Sequence, residues 1–206
     1  MSARIASGAT DRVPGVAPWA RVSAVVAPVA MIGGWLLAES LQPSFDPVTE
    51  TISALAVATR TTPWVLGVAL VTTGAAHVVT ALGTRRLRPA ARAVLALGGV
   101  ATAAVGLLPV DAHPQAHGVA AGVGFGALAL WPALTARRAR SGGTGVERPL
   151  PALGGTALLT ALVVVFVVTL ASGSGPIGLT ERLAAGAQSL WPLLVVLALR
   201  RRDRRG

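Results

Sequence analysis

Apolar residues in this chain run in long blocks separated by short clusters of arginine, proline and acid. The stretch "ALLTALVVVFVVTLA" at 157–171 is the plainest case, fifteen residues without a charge. A helix that crosses the hydrocarbon core of a bilayer needs about 20 mostly apolar residues. Six blocks reach that length, at approximately 20–41, 62–83, 90–110, 115–136, 150–171 and 179–199. None shows the ten-residue alternation of a barrel strand, and unpaired backbone is not tolerated in lipid, so each block predicts a helix. The expected architecture is an all-α bundle of six transmembrane helices. It forms one domain over residues 20–199, between an N-terminal tail (1–19) and an Arg-rich tail (200–206).

The polar positions orient the bundle. Arg4, Arg12 and Arg21 precede the first block; Arg85, Arg86, Arg88 and Arg92 join the second to the third. Arg137, Arg138, Arg140 and Arg148 join the fourth to the fifth, and Arg200, Arg201, Arg202, Arg204 and Arg205 follow the sixth. These are 16 of the 18 arginines, and only Arg60 and Arg182 fall on the opposite side. The positive-inside rule makes the arginine-rich side cytoplasmic, with both termini inside and the protein in the plasma membrane. Five of the eight acids, Glu39, Asp46, Glu50, Asp111 and Glu181, lie at the other, outer side.

Three outer hairpins follow, "SFDPVTETISALAVATRTT", "PVDAHPQAHG" and "SGSGPIGLTERL". In the first, Asp46 suits an N-cap and Pro47 the first helical position. Val48, Ile52 and Leu55 then share one face of an expected short helix. On the fourth span, Gly118, Gly122 and Gly126 form a small-residue stripe at four-residue spacing, expected to admit a neighbouring helix closely. "ALWPALTARRAR" and "SLWPLLVVLALRRRDRR" share a Trp-Pro pattern that hints at repeated hairpins.

Composition agrees with this and removes several functions. The chain is 53% hydrophobic and 13% charged, whereas a soluble domain carries about 25% charged residues. Its net charge is +10, but the arginines cluster at span ends, which reads as anchoring rather than nucleic-acid binding. With no cysteine, disulfides, thiolate metal sites and thiol catalysis are excluded. The first twenty residues are too polar for a signal peptide, so the first span is expected to be retained.

Four stretches, "FDPVTETISALA", "GAAHVVTALG", "AHGVAAGVGFGALALWPAL" and "GLTERLAAGAQSLWPLLVV", taken in order, resemble the bacterial domain-of-unknown-function (DUF) family 998. The resemblance extends from about residue 22 to residue 199. It implies a multi-span membrane fold and supplies no substrate or mechanism. The positions matching its polar pattern are Ser53, His77, His117, Glu181 and Arg182, and His113 is not among them.

The chemistry-bearing residues allow several readings. His113 and His117 stand in H-x-x-x-H spacing with Asp111 upstream, which suits a shared metal on a helix. Pro114, however, starts the fourth span, leaving His113 as its N-cap and His117 one turn in; no metal or other cofactor is expected. Arg182 breaks the arginine bias and calls for a partner among Glu50, Asp111 and Glu39. His117, Glu181, Arg182, Asp111, Glu50 and Ser53 are the expected ligand-binding set. Ser53 with His117 and Asp111 are the candidates for catalysis, although no G-x-S-x-G accompanies Ser53. His77, in the inner half of the second span, is expected to hydrogen-bond Thr72, Thr73, Thr80 or a neighbouring backbone, or else to line a polar path.

Three functions fit. The first is an outer polar pocket binding a small molecule or lipid headgroup without chemistry. The second is a transporter or channel with His77 in its pathway. The third is an intramembrane lipid hydrolase using His117 with an acidic partner. The bilayer is the expected partner, nucleic acid is not, and oligomeric state is open.

Overall fold

The computed structural model describes residues 15–136 and 148–203 of the chain. Arg4, Asp11, Arg12, Arg137, Arg138, Arg140, Glu147, Arg204 and Arg205, on which the charge bias partly rests, lie outside the described residues. Six α-helices account for most of what is described: α1 Pro18–Ser40, α2 Trp64–Gly83, α3 Pro89–Leu107, α4 Pro114–Leu134, α5 Pro149–Ser172 and α6 Ile177–Asp203. All six are long and apolar enough to cross a membrane. The protein is an all-α, multi-pass membrane protein.

The helix starts follow from proline. α1, α3, α4 and α5 each open on a proline, a residue whose fixed φ suits the first turn and whose missing N–H would have no helical partner there. α5 stops at Gly173, whose φ of +65° is a left-handed conformation that glycine adopts freely. At the opposite end of the bundle Arg92 caps α2, donating from Nε to the Ala81 carbonyl (2.8 Å) and from a terminal nitrogen to that of Leu82 (3.1 Å).

Each helix packs on the next, and α6 also packs on α1, so the six close into a ring. Loops 41–63, 108–113 and 173–176 gather at one end, the loop end. The arginine end is packed solid by Val16, Ala24, Leu95, Leu128, Trp131 and Val196, with Trp131 fully buried. A second apolar cluster, including Met31, Trp35, Ile52, Leu55 and Leu66, lies towards the loop end.

Two expectations need correction. The Gly118, Gly122 and Gly126 stripe of α4 does not form a helix contact: a Cβ added at any of the three would meet nothing within 4 Å. The close approach lies between α2 and α3 instead. A Cβ on Gly74 would stand 2.3 Å from the Gly99 carbonyl, and one on Gly106 would stand 2.7 Å from that of Gly67. Four-residue spacing puts glycines on one face, but only the neighbour decides whether that face is contact or open space.

The short helix of the first loop is also not formed as expected. Residues 46–50 make a single turn, and a 3-10 turn follows at Ser53–Ala56. A helix continuing from Asp46 would pair the Ile52 N–H with the Val48 carbonyl. Both groups are taken by α6: Ile52 donates to the Glu181 carboxylate (2.6 Å), and Val48 accepts the N–H of Leu179 (3.1 Å).

Candidate functional site: a polar cluster above an apolar cavity

The first loop is held from within by its acids. Asp46 accepts the Val48 N–H (2.9 Å) and the Thr49 hydroxyl (2.6 Å). The Thr49 bond first, and then that from Val48, holds its carboxyl below the ordinary 3.8. Glu50 accepts the Asp46 N–H (3.0 Å) and pairs with Arg60. Arg60 lies 5.2 Å from the centre of the Phe45 ring and Arg182 5.6 Å, so one aromatic carries both cations.

The 108–113 loop and the first turns of α6 clamp the first loop. Asp111 accepts the Ala58 N–H (2.9 Å), and that bond depresses its carboxyl below 3.8. Arg182 pairs with Glu39 and donates to the backbone carbonyls of Glu50 and Gly178, both at 2.9 Å. Gly178 lets α6 press against the loop, because a Cβ there would stand 2.0 Å from the Glu50 carbonyl. Glu39 is therefore the Arg182 partner among the three acids that sequence left open.

His113 and His117 separate as the proline implied. His113 is exposed at the N-cap of α4, while His117 is buried. The His117 Nδ1 stands 2.7 Å from the Leu108 carbonyl, and its Nε2 stands 3.2 Å from the Ser53 hydroxyl. A carbonyl only accepts, so the proton sits on Nδ1 and Nε2 of the neutral ring is the acceptor. Ser53 Oγ also lies 3.4 Å from Glu181 Oε1, whose other oxygen holds Ile52. Ser53 has one proton and two acceptors, which couples His117 to Glu181.

Below this cluster is a cavity of ≈ 570 Å³, in the size range of small-ligand sites. Ser53, His117 and Glu181 line it at the loop end. Met31, Leu70, Val105, Phe125, Val163 and Phe166 form apolar wall, and the glycines of α4 contribute bare backbone. His77, Thr102, Gln188 and Ser189 add polar atoms further down. Of the residues expected at a site, Ser53, His77, His117 and Glu181 thus share one cavity. Glu50, Asp111 and Arg182 stand outside its lining and shape the loops above it.

His77 departs from expectation. It is 1% exposed, and neither ring nitrogen has a hydrogen-bond partner among the described residues. Thr73 donates to the Ala69 carbonyl (2.8 Å), and Thr80 bonds Ser23 of α1 (2.8 Å), so neither serves the ring. Sequence reading missed Gln188, which donates to the Phe125 carbonyl at 2.9 Å. Its signal was available: an amide mid-span, seven positions after Glu181 and so on the same helix face.

The sequence profile of a family described as protein of unknown function (DUF998) matches residues 25–198. The chain belongs to the DUF998 family. No curated protein and no solved structure matches it. The DUF998 match begins inside α1 and ends inside α6, so it takes in all three loop-end hairpins and every residue that lines the cavity.

Proposed function

We propose that this DUF998 protein binds a single-chain, uncharged amphiphile drawn from the bilayer, its head against Ser53, His117 and Glu181 and its chain in the cavity below. The observation that carries this reading is one cavity with a polar cluster at the loop end, walls that are mostly apolar beneath it, and an open side. Gly118 and Gly122 of α4 are exposed, as are Val167 and Leu170 of α5, and all four line the cavity. A chain enters along that side from lipid.

The head is hydroxylated rather than phosphorylated. Among the described residues, the loop-end arginines, Arg60 and Arg182, are tied to Glu50 and Glu39, which leaves no cation for a phosphate. A carboxyl, a hydroxyl and an imidazole suit hydroxyl groups, which both donate and accept. Binding is favoured over passage because the arginine end is filled by side chains around Trp131 and Leu95. It is favoured over acyl transfer because the Ile52 N–H beside Ser53 already donates to Glu181, whereas acyl transfer needs free donors for an oxyanion. The arginine bias supports a plasma-membrane topology with the loop end outside and both termini cytoplasmic.

The test fills the cavity where nothing else is disturbed. Gly122→Leu adds a side chain into open space. In nanodiscs, calorimetric binding of dodecanol should weaken at least about tenfold in Gly122→Leu, roughly the effect of displacing two buried methylenes, with the melting temperature kept. Equal affinity in parent and variant removes the cavity as the site.

A further inference from the structure

We infer that His77 is a second polar subsite at the deep end of the cavity, so that the ligand carries a hydrogen-bonding group at the far end of its chain as well as at its head. This rests on the amphiphile reading and narrows it from a simple lipid tail to a bipolar ligand, a hydroxyl or carbonyl standing at the chain terminus.

The placement of His77 is enforced. α2 and α3 are pressed together around it: a Cβ on Gly99 would lie 3.0 Å from the His77 Cβ and 2.6 Å from the Gly74 carbonyl. The ring borders the cavity wall. It is buried, with both nitrogens unpartnered among the described residues. A buried polar group without a partner is costly and uncommon in folded proteins.

The neighbouring polar side chains have partners of their own. Thr102 donates to the Gly98 carbonyl (2.9 Å), Ser189 to that of Gly186 (2.8 Å), and Gln188 to that of Phe125 (2.9 Å). Of these side chains, His77 is the one that makes no hydrogen bond at all among the described residues, and its ring offers both a donor and an acceptor, the pair that a hydroxyl satisfies and a methyl does not. The spacing can be read along α3. Leu108 touches the His117 ring and Gly99 backs His77; those nine positions correspond to about 13 Å of helix rise. The ligand therefore holds its two polar ends about that far apart.

The experiment compares dodecanol with the dodecanediol bearing a hydroxyl on each terminal carbon, in nanodiscs, each affinity corrected for partition into empty discs. The parent should prefer the diol by roughly tenfold, the scale of one additional buried hydrogen bond. His77→Leu should bind both alcohols alike, and His77→Gln should retain part of the preference. Equal affinities in the parent, or a diol preference that survives His77→Leu, overturns the subsite while leaving the amphiphile reading intact. Failure of both alcohols to bind the parent overturns the amphiphile reading and the subsite together. Should His77→Leu not fold, the parent comparison and His77→Gln still decide.

Discussion

At the scale of residues, the loop end is organised by charges that answer one another rather than solvent. Arg182 and Glu39 are 10% and 15% exposed, and removing one partner of so buried a pair leaves the other uncompensated. Arg182→Ala should therefore lower stability by about 3 kcal/mol, read as melting in detergent. The double variant with Glu39→Ala should cost less than the sum of the single changes; simple additivity would show that the two are not coupled. Asp111 supplies a pH dependence. Its folded carboxyl is depressed by the Ala58 N–H, so its contribution is present above the ordinary 3.8 and is lost as pH falls through the lower folded value. Asp111→Asn should flatten the fall of melting temperature between about pH 5 and pH 3, and an unchanged slope would assign the acid response elsewhere. Pro114 made the division between His113 and His117 legible in sequence. Which acid Arg182 would take was not, because three carboxylates were equally eligible until the fold fixed their distances.

At the scale of elements, glycines have two opposite uses. Gly74, Gly99, Gly67 and Gly106 let α2 and α3 touch backbone to backbone, while Gly118, Gly122 and Gly126 of α4 leave a wall bare. Gly99→Ala should destabilise by about 1–3 kcal/mol through overpacking. Gly122→Ala should be neutral or stabilising, by up to about 1 kcal/mol from helix propensity. Thermal melts of the two variants decide, and a reversal of their order would contradict both assignments. The spans themselves were readable to within a few residues, since proline and charge mark their ends and length marks their nature. The first loop was not. Its local signals favour a helix, and the backbone groups such a helix would use are engaged by α6, more than a hundred positions away.

At the scale of the molecule, the ring of helices divides into a packed half and a hollow half, and the charges divide with it. If the loop end faces outward, a cysteine introduced by Ala112→Cys into this cysteine-free chain should react with an impermeant reagent in intact cells. One introduced by Arg85→Cys should react only after permeabilisation. The reverse pattern would invert the topology. Fold class and six-span count came directly from block length and hydropathy. That Ser53, His77, His117 and Glu181 share one cavity could not, because they sit on four different segments and no spacing relates them.

The bonds from α6 to the first loop also fix an order of events during synthesis. Ile52 leaves the ribosome 129 residues ahead of Glu181, its hydrogen-bond acceptor, and Val48 waits comparably long for Leu179. Until the last span is inserted, the Ile52 N–H and the Val48 carbonyl lack the partners that keep them out of the helix this stretch predicts. The roof of the cavity is therefore the final piece of the molecule to be built, and a chain stalled before α6 would display five spans and a differently wound first loop.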